Sequence, residues 1–260
     1  VNTNHKEIKI AIIGGTGFTA MDSIKCLGSQ VISTEFGAPS GAIERYQLVD
    51  EDAASQFYFL ARHGSPHSIA PHHINYRANI AALAELGVST IIAVNAVGSI
   101  DPSLKPRDIV LPTQVIDYSH GRESSFFDGR QKPLAHIDFS HPFDEKVLAT
   151  VQQCAVSESI ALVTQGVYGV TQGPRLETAA EIRRMARDGA SLVGMTLMPE
   201  AALARELDLA YASICLVVNP AAGVSHSVIT MEEIHQAVAD GMSQVQSLVK
   251  ASIRSLTFSE

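Results

Sequence analysis

Leu216-Val217-Val218-Asn219-Pro220-Ala221-Ala222-Gly223 closes an apolar run that begins near Ala212. An apolar run stopped by Pro and Gly reads as a buried strand of an α/β sheet, with Asn219 emerging at the strand's carboxyl end. Open α/β sheets bind their ligands at that edge. The Asn219 amide both donates and accepts hydrogen bonds, so it is either a loop cap or a ligand contact. The same grammar recurs along the chain. Residues 8–13, 57–61, 90–94, 107–112, 166–171, 192–196 and 211–218 read as strands. Residues 74–86, 143–155, 179–188, 198–207 and 232–256 read as helices, the third opened by the capping box Thr178-x-x-Glu181. Alternation of this kind predicts an α/β fold: a single domain over residues 1–260, with a central, mixed, mostly parallel sheet flanked by helices.

Composition narrows the partners. The 260 residues are 46% hydrophobic, enough for one large core. A net charge of −8 without a basic run argues against a nucleic-acid partner. No stretch is long and apolar enough to predict a membrane span, and Val1-Asn2-Thr3-Asn4-His5-Lys6 lacks an apolar leader, so a cytoplasmic protein is expected. Cys26, Cys154 and Cys215 are odd in number and widely spaced, which argues against a disulfide framework or a zinc site. His63, His67, His72 and His73 invite a metal reading, but prolines break the segment and carboxylates are absent nearby; no metal is expected.

Gly15-Thr16-Gly17-Phe18-Thr19-Ala20 follows the first strand and matches the dinucleotide fingerprint G-x-G-x-x-A, with Glu35 as a candidate ribose acid. A glycine turn cradles any phosphate, however, not only a pyrophosphate. Six strand ends carry marked residues: Thr16, Arg62-His63, Asn95-Ala96, the Thr171 to Glu177 stretch, Met195-Thr196 and Asn219. Hydroxyl, guanidinium, imidazole and amide donors distributed in this way suit one compact tetrahedral anion. No G-x-S-x-G nucleophile is present, so the bound anion itself is a candidate nucleophile. Residues 116–141, with Arg122, Phe126, Phe127 and His136, form a polar excursion too long for a simple connection and read as functional or interfacial.

The motifs Ile12-Ile13-Gly14-Gly15-Thr16-Gly17, Arg62-His63-Gly64, His72-His73-Ile74-Asn75-Tyr76-Arg77-Ala78-Asn79-Ile80-Ala81-Ala82, Asn95-Ala96-Val97-Gly98-Ser99, Gln172-Gly173-Pro174-Arg175 and Gly194-Met195-Thr196, with Pro199-Glu200, resemble the trimeric purine nucleoside phosphorylase family, in its 5′-methylthioadenosine phosphorylase branch. The resemblance covers nearly the whole chain. It implies phosphorolysis of a purine nucleoside with inorganic phosphate as co-substrate, no metal or organic cofactor, and a homotrimer. It places phosphate on Thr16, Arg62, His63, Asn95, Ala96 and Thr196, where Asn95 stands at a position usually threonine in the branch. It places the base on Leu176, Glu177, Asn219 and Ala221, and the sugar near Met195 and His67. His136 resembles a residue given to a neighbouring subunit's 5′ pocket. Arg62, His63 and Asn219 would carry the catalysis.

Two positions bear on the substrate. Members acting on 6-aminopurines have aspartates where this chain has Asn219 and Ala221, whereas Glu177 matches the glutamate of 6-oxopurine enzymes. Met231 and Ile234 stand where ordinary nucleoside phosphorylases place a histidine for the 5′-hydroxyl; they are either core residues or the lining of a methylthio pocket. The combined expectation is a 6-oxopurine base with a 5′-methylthio sugar, S-methyl-5′-thioinosine. The alternatives are methylthioadenosine, inosine or guanosine, and, from a different class, an NAD-dependent oxidation resting on the glycine turn alone.

Overall fold

The structure, a computed structural model, describes residues 9–15, 23–49, 55–225 and 228–257. Thr16 and most of the glycine fingerprint lie outside the described residues. Among those described, the strands are β1 (Ile10–Gly14), β2 (Ile24–Gln30), β3 (Ile43–Leu48), β4 (Gln56–Ala61), β5 (Thr90–Ser99), β6 (Ile109–Val110), β7 (Gln114–Asp117), β8 (Leu162–Val163), β9 (Val167–Val170), β10 (Leu192–Gly194) and β11 (Ala210–Pro220). The helices are α1 (Tyr76–Glu85), α2 (Glu145–Ser157), α3 (Ala179–Asp188), α4 (Leu197–Glu206) and α5 (Met231–Thr257). All the strands join one mixed sheet, parallel through its centre where β4, β1, β5 and β11 lie side by side.

Strand alternation puts a core on each face. Ile91, Ala93 and Val97 of β5 pack with Leu83, Leu197 and Ala201 of α1 and α4. Ile92 and Val94 pack on the opposite face with Val151 of α2 and with Val245, Val249 and Ile253 of α5. Because both faces are covered, the central strands are almost continuously apolar. On α5, Ala237, Gly241, Val245, Leu248, Ser252 and Leu256 recur at helical spacing and form its buried stripe. Gly241 lets that helix come close: a Cβ there would stand 2.6 Å from a Leu216 methyl.

The dinucleotide reading fails on this topology. That fingerprint belongs to a β-α-β unit whose next strand runs parallel to the first, but the next element described after β1 is β2, which pairs antiparallel with β3. Glu35 is instead ion-paired with Lys132 at 2.8 Å.

The feature that positions the site is a split in the sheet. One edge of β5 pairs with β1 only as far as Ala93, and with the antiparallel β10 only at Gly98 and Ser99. β11 follows the whole length of β5 on the other edge. Residues 94–97 of β5 therefore have no described strand on the first edge. The carboxyl ends of β1 and β4 reach this gap from one side. Those of β9 and β10, which run parallel to each other and opposite to β5, reach it from the other. Gaps where strand direction changes are where open α/β sheets hold ligands.

Candidate active site

Asn95-Ala96 do not end their strand, and Asn219 stands one residue before the end of its own. β5 continues through Asn95 and Ala96 to Ser99, and β11 continues through Asn219 to Pro220, with a register shift between Val217 and Asn219. The sequence signs of ending, Gly98 and Pro220, fall instead within the paired ladder, because the neighbouring strand holds them there.

Arg62 follows β4 and crosses beneath the ends of its neighbours. Its Nη2 donates to the Ile13 carbonyl at 3.3 Å and its Nη1 to the Val94 carbonyl at 3.2 Å. Its Nε and Nη2 grip both oxygens of Glu200 at 2.7 and 2.8 Å. Both side chains are buried, with relative exposures of 2% and 0%. Burial opposes the guanidinium charge, and the adjacent Glu200 carboxylate more than offsets it, so Arg62 holds its proton more strongly than usual. Tyr211 donates to the same carboxylate at 2.8 Å; burial, then the Glu200 charge, raises the affinity of its phenol for its proton. Glu200 and Tyr211 are the parts that the sequence reading did not place: a glutamate inside an apolar helical run looks like any helix-opening acid.

His63 sits half-buried beside Arg62. Its Nδ1 lies 2.8 Å from the Ile69 carbonyl, and its ring stacks on His67 with centroids 4.3 Å apart. Burial is the main cause that lowers its pKa from 6.5 to about 4; the hydrogen bond to Ile69 opposes this, and Arg62 and His67 add to it. The ring is therefore neutral near pH 7. Since the carbonyl can only accept, Nδ1 carries the hydrogen and Nε2 is left as an acceptor.

Asn95 points to the α1 and α4 face. Its Nδ2 donates to Ser213 Oγ at 2.8 Å, and its Oδ1 accepts from Thr196 Oγ1 at 3.1 Å. Asn95, Ser213 and Thr196 are all buried. Next to Ser213, the Cys215 thiol is pushed up to about 12, chiefly by burial, and stays protonated. Ala96, by alternation, faces the other way and is the exposed position of an otherwise buried strand. Its methyl is thus on the opposite face from Asn95, and any contribution of Ala96 to an anion site runs through its backbone.

At the end of β10, Gly194 is required by packing. A Cβ there would stand 1.9 Å from the hydroxyl of Tyr168 beneath it. Met195 follows, with its sulfur over Gly173, whose φ of +64° suits glycine. From the end of β9, Thr171 donates to Glu177 Oε1 at 2.6 Å and lies 3.4 Å from the Gly194 carbonyl. Asn219 lies over Gly98, where a Cβ would meet its Nδ2 at 3.4 Å, and donates to the Pro220 carbonyl at 2.7 Å. That bond uses one amide hydrogen; the second N–H and Oδ1 remain. Gly223 abuts Ala179, close enough that a Cβ would stand 2.5 Å from the alanine's own, which brings the β11 loop against the segment carrying Glu177.

Five further expected positions lie outside the hydrogen-bonded set just described. Ala221 is 3% exposed and packs with Ile100, Ile182, Met185 and Val193, so its methyl belongs to a small apolar cluster rather than to an open base site. Ile234 packs on the core beneath α5, and Met231, the first residue of that helix, is 60% exposed. His136 is exposed. Leu176 is 43% exposed beside Glu177. A cavity of about 350 Å³ shares the Thr171 to Glu177 wall, including Arg175, and is lined beyond it by Tyr118, His120, Glu181, Arg184 and Met185; no residue of β5 is in its wall. Among the described residues no group of His, Cys, Asp or Glu is placed to hold a metal ion.

Comparison with known proteins agrees with this architecture. The model of the Phosphorylase superfamily matches residues 9–254. A Pseudomonas syringae protein named "probable S-methyl-5′-thioinosine phosphorylase" is 49% identical over 237 residues, covering 91% of this chain and 95% of its own. A Pyrococcus furiosus 6-oxopurine nucleoside phosphorylase is 40% identical, covering 94% of this chain and 92% of its own. The crystal structure of Schistosoma mansoni methylthioadenosine phosphorylase with adenine superposes with a TM-score of 0.89 at 30% identity, over 97% of this chain and 93% of that one. The chain belongs to the phosphorylase superfamily.

Proposed function

We propose that this chain catalyses phosphorolysis of S-methyl-5′-thioinosine, giving hypoxanthine and 5-methylthioribose 1-phosphate. The observation that carries the base assignment is the pairing of Thr171 with Glu177. The threonine hydroxyl donates to one carboxylate oxygen and leaves the other to accept. A 6-oxopurine presents a donor at N1–H, whereas adenine presents an acceptor there. Asn219, with one N–H uncommitted, donates to O6, and its Oδ1 accepts from N7 once that nitrogen takes up a proton. A buried polar group left unpaired costs about 1–3 kcal/mol, which sets the direction of selectivity. The 5′-methylthio assignment is supported by the similarity to proteins named for that substrate.

In the proposed reaction a phosphate oxygen forms a bond to C1′ as the C1′–N9 bond breaks. The bonding pair leaves with the base, which takes up a proton from water. Phosphate sits in the gap over residues 94–97, against Arg62, Thr196 and the strand-end amides, with Thr16 expected to join them. Because His63 Nε2 accepts, it receives the P–OH hydrogen of a protonated phosphate. Asn219 stabilises charge developing on the departing base. Positioning and electrostatics carry such a reaction, with phosphate as co-substrate and no cofactor.

The active assembly we propose is a homotrimer. Leu134 and Ile137, flanking His136, are 64% and 37% exposed, and Leu176, Val228 and Met231 offer apolar surface near the site. A neighbouring copy would cover both and would close the 5′ pocket with His136. We also propose a cytoplasmic location, in keeping with three cysteines that are all unpaired. No described helix is long and apolar enough to cross a membrane.

A substrate panel tests the function. Phosphate-dependent release of hypoxanthine from methylthioinosine is expected to exceed release of adenine from methylthioadenosine and of hypoxanthine from inosine. Faster turnover of methylthioadenosine would refute the base assignment, and faster turnover of inosine the pocket assignment. In the same panel Asn219→Asp is expected to shift preference toward 6-aminopurines.

A further inference from the structure

We propose that Arg122 is a positioning residue that locks the base-facing segment (residues 171–177) to the segment facing sugar and phosphate (residues 195–198). The proposal rests on the reading of those two segments given above. Arg122 lies in the long polar excursion, outside the strand ends that mark the site, yet its guanidinium reaches both segments. Nη2 donates to the carbonyls of Thr171 and Gln172, each at 3.1 Å. Nη1 donates to the Met195 carbonyl at 2.9 Å and to that of Met198. Nε donates to the Gln172 side chain at 3.3 Å, and Nη1 also lies 3.4 Å from the Tyr76 hydroxyl, with the guanidinium over that ring.

These acceptors need a donor from outside their own segments. In a continuous helix the Met195 carbonyl would receive the N–H four residues on, but that residue is Pro199, which has none. Met198 departs from helical backbone, with φ −111° and ψ 138°, so the turn carrying Thr196 is not held by a regular helical ladder. Arg122 supplies the missing donors there and ties the same turn to the end of β9, six residues before Glu177. Among the described residues no carboxylate lies within ion-pair distance of Arg122; its bonds go to main-chain carbonyls and neutral side chains. A planar fork with five donors can bridge two segments in this way, whereas an ammonium group cannot span them.

The consequence is specific. Losing a base contact alone raises the KM of the nucleoside. Losing the brace displaces both segments and raises the KM of nucleoside and of phosphate together. Displacements of an ångström cost on the order of 100-fold in rate. The test compares wild type, Arg122→Met and Arg122→Lys on the purine nucleoside the wild type turns over fastest, with both KM values, kcat, the Tm and added guanidinium as readouts. Expected are a roughly 100-fold fall in kcat/KM in Arg122→Met, a rise in both KM values, a Tm within a few degrees of wild type, and partial recovery with millimolar guanidinium but not ammonium. Unchanged KM values would overturn the proposal, as would a loss that guanidinium does not relieve. If Arg122→Met does not fold, Arg122→Lys decides: wild-type KM values for both substrates overturn the brace, and a joint rise supports it. A wild type that turns over no purine nucleoside refutes the proposed function instead, so the two failures are distinguishable.

Discussion

His63 illustrates how one neighbour sets the chemistry of a residue. The Ile69 carbonyl fixes the hydrogen on Nδ1, burial keeps the ring neutral with a pKa of about 4, and Nε2 is left to accept. Its folded pKa lies below the ordinary 6.5, so between these values the unfolded chain binds the proton and the folded chain does not. The stability that depends on this neutral ring is therefore present above pH 6.5 and is lost as pH falls through about 4. Thermal midpoints across that range should fall less steeply for His63→Gln than for wild type, and equal slopes would show that the ring does not titrate as described. The residue scale also separates two amides of similar sequence context. Asn219 shows the loop-cap alternative read from its sequence, since one hydrogen goes to the Pro220 carbonyl, and the ligand contact is the role proposed for the rest of the amide. Asn95 is committed at both ends to Ser213 and Thr196. Nothing in the sequence near Asn95 indicates this, because Ser213 lies 118 residues away.

Between elements, the Arg62–Glu200 pair joins the end of β4 to α4, with Tyr211 of β11 as a third anchor. Removing one member of a buried pair leaves the other charge uncompensated, at about 3–5 kcal/mol. Glu200→Gln should accordingly lower the urea-unfolding free energy by about 3 kcal/mol or more, and a loss below 1 kcal/mol would mean that water reaches the pair. Elements whose signals were local were legible. The capping box at Thr178 and Glu181 is formed as expected, and α3 spans the expected residues. β2 was not legible, since Ile24–Gln30 is largely exposed and has no apolar alternation. β6 falls inside the strand read over residues 107–112, whereas the two-residue β8 was not read and is defined by its pairing with β6.

For the whole molecule, the proposed trimer makes a measurable claim. Light scattering should give the mass of three chains, and His136→Ala should lower kcat/KM for methylthioinosine while leaving that mass unchanged. A fully active monomer would exclude a shared pocket. The sequence alone determined the fold class and the family, because alternating apolar runs and short glycine-bearing motifs in a fixed order are local and additive signals. It also named most of the residues that gather at the gap in the sheet. The tertiary structure decided how those residues are committed. It closed Glu200 on Arg62, packed Ala221 into an apolar cluster, ran β5 on through Asn95, and brought Arg122 out of a long excursion onto the carbonyls of two distant segments. The physical reason is that a hydrogen bond or ion pair is set by which atoms meet in space. For partners separated by 49 to 138 residues, only the completed packing of the sheet and its helices makes them meet.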